Sequence, residues 1–207
     1  YWGAMPNIEV IPNAAMSMGH NLSDGSAKRV IAVGRLDYQK GFDRLIQAWE
    51  IAQKNESFKD WTLDIFGQGE WQDMLQQMID KAGLNHNTHI NKPTNAIGKE
   101  YANSSLIVMT SNYEGFGMVL VEAMACGVPA IAFDCKCGPS DIIDNGKNGL
   151  LVKEGDIAGL AEAMMKLMGD EQLRKRMSVN ARSVVETYSE ETVMNKWISL
   201  FTSLTEQ

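Results

Sequence analysis

Runs of consecutive apolar residues alternate along the chain with stretches whose apolar residues recur every three or four positions. The runs read as strands: 8–11 ending at Pro12, 30–33 stopped by Gly34, Thr62–Phe66 closed by Gly67-Gln68-Gly69, His89-Ile90, 106–110, 130–133 and 150–152. The periodic stretches read as helices. One starts near Phe42 with Leu45, Ile46, Trp49 and Ala52 on its apolar face, and a second carries Trp71, Met74, Leu75, Met78 and Ile79 up to Gly83. Shorter helices are predicted over Ile97–Ala102, from about Gly117 through Cys126, and near 140–143, with two or three more from Asp156 to about Leu204. Gly127, Pro129, Asp144-Asn145-Gly146 and Asn148-Gly149 punctuate the later elements. Strands that are apolar throughout, separated by single helices, belong in a parallel sheet covered on both faces. No repeat or long linker interrupts the pattern, so the prediction is one α/β domain, a Rossmann-like doubly wound parallel sheet.

Composition narrows the function. The chain has 207 residues, 44% of them hydrophobic, enough for one substantial core. A formal net charge of -7 and a pI near 5.0 argue against a nucleic-acid-binding surface. No window approaches the roughly 18 apolar residues of a membrane span. Tyr1-Trp2-Gly3-Ala4-Met5 lacks the basic and apolar regions of a signal peptide. Three cysteines, Cys126, Cys135 and Cys137, with no Cys-x-x-Cys, predict free thiols and a reducing, cytoplasmic setting. His20, His86 and His89 show no ligand spacing with them, so no metal site is expected. No nucleophile–base signature is visible.

Candidate chemistry centres on Glu114-Gly115-Phe116-Gly117-Met118-Val119-Leu120-Val121-Glu122. Glu114 follows a strand, and the carboxyl ends of strands are where open α/β sheets bind ligands. Glu122 sits in an apolar run, where a carboxylate is costly without a hydrogen-bond partner. With the helix starting near Gly117, the two carboxylates should lie about 10 Å apart. Glycosidase pairs stand at about 5 Å or about 6.5–9.5 Å, so this pair suits two anchors on one long ligand better than an acid and a nucleophile. A second cluster, Gly34-Arg35-Leu36-Asp37-Tyr38-Gln39-Lys40-Gly41-Phe42, sets two cations between a strand end and a helix start, a receptor for a diphosphate. Taken singly, Glu114 also reads as a helix-terminal carboxylate, and Arg35 and Lys40 as surface cations. Gly67-Gln68-Gly69 fails the dinucleotide G-x-G-x-x-G because Gln72 stands at the third glycine, so Gly67 and Gly69 read as room for a ligand to approach the backbone. Gly138-Pro139-Ser140 is a plausible helix start.

Together these stretches resemble the carboxyl-terminal domain of a GT-B glycosyltransferase of the large retaining family often called family 4. The matching residues are Val33-Gly34-Arg35-Leu36 with Lys40-Gly41-Phe42, Phe66-Gly67-Gln68-Gly69, Ser111 with Glu114-Gly115-Phe116-Gly117, and Glu122-Ala123-Met124-Ala125-Cys126-Gly127-Val128-Pro129. Gly138-Pro139-Ser140-Asp141-Ile142-Ile143 and Asn148-Gly149-Leu150-Leu151-Val152 continue the match. Val10-Ile11-Pro12-Asn13 also resembles the start of the family's domain, with Ala14 where glycine is common. The resemblance implies catalytic roles for Arg35 and Lys40 on the donor's diphosphate and for Glu114 at the sugar. It implies donor contacts from Gly115, Phe116, Gly117 and Met118, from Glu122 on the ribose, from Gly67 and Gly69, and from Lys92 and Ile97 near the base. It further implies a nucleotide-diphosphate sugar as substrate, UDP-hexose being the family's commonest donor, with no metal or other cofactor and no enzymic nucleophile. A glycan or lipid-linked acceptor in bacterial polysaccharide assembly would be held mainly by an amino-terminal domain that this chain lacks. The full enzyme could touch a membrane peripherally, without spanning it. A non-catalytic nucleotide-sugar-binding module, a sugar-nucleotide epimerase and a phosphorylase are the rival readings, although no pyridoxal-lysine or extra acid/base signature supports the last two.

Overall fold

The computed structural model describes residues 8–15 and 22–205. Six strands form one parallel sheet: β1 (Arg29–Val33), β2 (Thr62–Phe66), β3 (Thr88–Asn91), β4 (Leu106–Met109), β5 (Ala130–Asp134) and β6 (Gly149–Lys153), in the order β3-β2-β1-β4-β5-β6. The order reverses between β1 and β4, which pair through Val30–Leu106 and Ile31–Ile107. A crevice opens beyond the carboxyl ends of the strands at such a reversal.

Side chains alternate across the sheet although the strands are apolar throughout. Val30, Ala32, Leu106, Val108, Ile131 and Phe133 face the core shared with helices α1 (Phe42–Gln53), α2 (Gln72–Lys81) and α6 (Ile157–Gly169). Ile31, Ile107, Met109, Ala130 and Ala132 face the opposite core, with α3 (Ile97–Ala102), α4 (Met118–Ala125), α5 (Pro139–Ile142) and α8 (Val184–Tyr188). Because both faces are covered, each strand is apolar at every position that touches a helix. The doubly wound prediction agrees with the structure.

Three local expectations change. Residues 8–11 form no strand, and Val10 is exposed; the sheet edges are taken by β3 and β6, and Ala15 of the leading segment forms a bridge with Ser189. The carboxyl-terminal region holds four helices rather than two or three: α6, α7 (Glu171–Ala181), α8 and α9 (Glu190–Thr205). Asp156 and Asp170 each cap a helix start, their Oδ1 atoms accepting from the Gly159 and Leu173 amides at 2.9 and 2.8 Å. The cap at Asp170 separates α6 from α7. A short 3-10 turn at Glu56–Phe58, capped by Asn55, is a further addition. None of the helices in the described residues is long and apolar enough to cross a membrane.

Candidate functional site

The loops that follow β1 and β4 meet at the reversal and are stitched together by polar contacts. The Thr110 hydroxyl donates to the Lys40 carbonyl at 3.1 Å, and the Asn112 amide donates to the Gln39 carbonyl at 2.8 Å. The Asn112 side chain reaches the Tyr38 carbonyl at 2.5 Å, and Gln39 Nε2 donates to the Tyr113 carbonyl at 3.2 Å. Gly41, which caps α1, permits this closeness. It holds a left-handed conformation with φ of 60°, and a Cβ there would sit 2.5 Å from the Thr110 carbonyl oxygen.

At the centre of the seam, Lys40 Nζ lies 2.6 Å from Glu114 Oε1. The Ser111 hydroxyl donates to the same oxygen at 2.5 Å. Both charged side chains are largely buried, at 15% and 7% exposure, so the charges stabilise one another where neither would be tolerated alone. The structure therefore joins two residues that the sequence suggested for separate parts of a ligand. Each leads into a helix start that no side chain caps: Gly41 precedes α1, and Gly117, with φ of 100°, precedes α4. Their free amides and helix dipoles make the seam receptive to an anion.

Phe116 is held from outside the site. Its ring meets Tyr188 edge-on at 5.2 Å, and a Cβ on Gly138 would collide with its carbonyl oxygen, so the segment before α5 seats against it. Gly115 is open, with nothing near its Cβ position, and Met118 forms the first residue of α4.

Glu122 lies one turn further along α4, on the wall of a cleft of about 330 Å³. Arg35, Gly67 and Ile97 line the same cleft, so the structure brings four predicted site residues together there. Arg35 is exposed; its Nη2 donates to Gln39 Oε1 at 2.5 Å and lies 3.3 Å from Asp37. Pro93 and Thr94 line the cleft in place of the predicted Lys92, which is exposed. Burial raises the Glu122 carboxyl above its ordinary value, and a hydrogen bond from Tyr101 Oη to Oε2, at 3.2 Å, opposes that shift. Tyr101 is the partner a carboxylate in this position requires, and sequence reasoning missed it.

Gly67 and Gly69 also have a role in the fold. On their Cβ side the chain itself fills the space, while Gly67 also lines the cleft. A Cβ on Gly67 would collide with the Gly34 carbonyl, and one on Gly69 with that of Leu36. The Gly34 and Leu36 amides donate to Phe66 and Gln68 carbonyls at 3.0 Å, locking the β1 loop onto the β2 loop. Arg35 is thereby fixed at the cleft.

Burial also pushes the Cys126 and Cys135 thiols up to about 11, while Cys137 is exposed. Glu122 titrates against the fold with a definite sign. Folding favours its protonated form, so this contribution is present below the ordinary carboxyl pKa and is lost as pH rises through the raised value. Denaturation curves taken from about pH 4 to pH 7 should show Glu122→Gln gaining stability relative to the parent as pH rises, and a constant difference would contradict the shift. The glycine assignment predicts that Gly69→Ala loses about 1–3 kcal/mol in the same experiment. Gly115→Ala should stay within about 0.5 kcal/mol of the parent.

Comparison with known proteins gives the family and agrees with the fold. Residues 17–184 match the family described as Glycosyl transferases group 1. The chain is 40% identical over 169 residues to the amylovoran biosynthesis glycosyltransferase AmsD of Erwinia amylovora, covering 82% of this chain and 46% of that protein. It is 35% identical over 202 residues to the exopolysaccharide phosphotransferase SCO2592 of Streptomyces coelicolor, covering 97% of this chain and 21% of that one. A crystal structure of Staphylococcus aureus TarM, a G117R mutant in complex with Fondaparinux, alpha-GlcNAc-glycerol and UDP, superimposes with a TM-score of 0.86 at 31% identity, over 96% of this chain and 40% of TarM. The chain thus spans less than half the length of each of these relatives. It belongs to the glycosyl transferases group 1 family, as a Rossmann-like domain of the GT-B type.

Proposed function

We propose that this chain is the donor-binding half of a glycosyltransferase that moves a hexose from a nucleotide-diphosphate sugar to a glycan or lipid-linked acceptor with retention. One observation carries the reading: the Lys40–Glu114 pair sits between two helix starts that no side chain caps, beside a cleft with Glu122 on its wall. Lys40, Arg35 and the free amides of the helix starts hold the diphosphate and stabilise the charge that develops as it leaves. Cations fixed in this way supply what a divalent metal supplies in other transferases. Glu114 is engaged by Lys40 and Ser111 through Oε1, which leaves Oε2 for the sugar. The amides of Gly115 to Met118 face the sugar and the neighbouring phosphate. Glu122 accepts from the ribose hydroxyls, and Pro93, Thr94 and Ile97 flank the base.

The UDP held in the TarM complex supports a uridine donor, and the names of the AmsD and SCO2592 relatives support a polysaccharide acceptor. Acceptor contacts come, on this reading, from a second domain, because the matched region covers only 46% of AmsD and 40% of TarM. Three free thiols fit a cytoplasmic setting.

Calorimetric titration with UDP, GDP and ADP tests the proposal. The chain should bind UDP and catalyse no transfer by itself. Glu122→Ala should weaken UDP binding by about 1.5–3 kcal/mol, the worth of a hydrogen bond to a charged group. Equal binding by parent and variant would remove Glu122 from the donor site.

A further inference from the structure

Helix α3 reaches the cleft at Ile97 and presents Tyr101 four residues later, on the same helical face. Tyr101 is fully buried in the apolar cluster that also holds Leu120, Val121 and Met124 of α4. Its hydroxyl donates to Glu122 Oε2 at 3.2 Å, and Glu122 has no other side-chain hydrogen bond among the described residues. Glu122 lines the cleft; a fully buried phenol beneath it is out of a ligand's reach.

The helix that carries this phenol is itself anchored. Glu100, next to Tyr101, pairs with Arg29 at the start of β1, with 2.8 Å between Oε2 and Nη1. The Ser104 hydroxyl donates to the Glu100 carbonyl at 2.7 Å. Adjacent residues of one short helix therefore grip the sheet on one side and the Glu122 carboxylate on the other.

We propose that Tyr101 is a positioning residue: by occupying Oε2 of Glu122, its hydroxyl sets the rotation of the carboxylate and leaves Oε1 directed to the donor's ribose hydroxyls. The inference rests on the reading of Glu122 as the ribose anchor. The terminal torsion of a glutamate is broad and roughly two-fold, so a carboxylate without this bond must be ordered when the ligand arrives. Holding it beforehand removes that cost from binding. The same helix carries Ile97, so one element supplies both a cleft wall and the hydrogen bond to Glu122.

The test compares the affinities of UDP and its 2′,3′-dideoxy analogue for the parent, Tyr101→Phe, Glu122→Gln and the double variant. Tyr101→Phe keeps the ring and removes one oxygen. It should shrink the parent's preference for UDP by about three- to tenfold, with affinity for the dideoxy analogue unchanged. In the Glu122→Gln background it should have no further effect on that preference. An undiminished preference in Tyr101→Phe would overturn the proposal. An equal fall in affinity for both ligands would overturn it too, because the phenol would then be serving the fold alone. A parent with no preference for the ribose would sink the assignment of Glu122, and the role of Tyr101 with it.

Discussion

The buried ion pair between Lys40 and Glu114 is the constraint around which the site is organised. Ions removed from water are tolerated only when each supplies what the other has lost. Here the partners come from loops 74 residues apart in sequence, one leaving β1 and the other leaving β4. The pair therefore requires those strands to be neighbours, and they are neighbours only because the sheet order reverses between them. Gly41 lets the loops close, Ser111 completes the shell of Glu114, and Thr110 and Asn112 tie the flanking backbone. Remove one partner, and the other would be left as an uncompensated buried charge between two uncapped helix starts.

Around this seam the structure separates two kinds of work. Residues that meet the cleft include Arg35 on the loop after β1, Ile97 at the start of α3 and Glu122 within α4. Residues that hold the site in place include Tyr101 under Glu122, Tyr188 against Phe116, and Gly69 under the Arg35 loop. The supporting contacts are made with backbone or with buried side chains. They can therefore set geometry to a fraction of an ångström without competing for the ligand.

How much of this was legible in the sequence depended on range. Thr62–Phe66 and Ile97–Ala102 could be read with their ends because their boundaries are local: an apolar run and glycines for one, a short periodic stretch for the other. Residues 8–11 carry the same β-branched signal, but a strand also needs a free sheet edge, which no local pattern reports. Glu114 and Lys40 were both recognisable from their place beside a strand end and a helix start, whereas their pairing was not. Tyr101 was hidden for the opposite reason, since an aromatic four residues after Ile97 reads as ordinary core. Gly67 and Gly69 did signal a close approach to the backbone; only the structure reveals that the approaching group is the carbonyl of the neighbouring loop.

The role of the ion pair is tested most directly by a double-mutant cycle on UDP affinity, using Lys40→Met, Glu114→Gln and the double variant. If Glu114 holds the Lys40 ammonium in the position where it meets the diphosphate, Lys40→Met should weaken UDP binding strongly in the parent and much less once Glu114 is Gln. That corresponds to a coupling of about 1 kcal/mol or more. Additive effects, with Lys40→Met equally damaging in both backgrounds, would contradict the claim that the two loops act as one site.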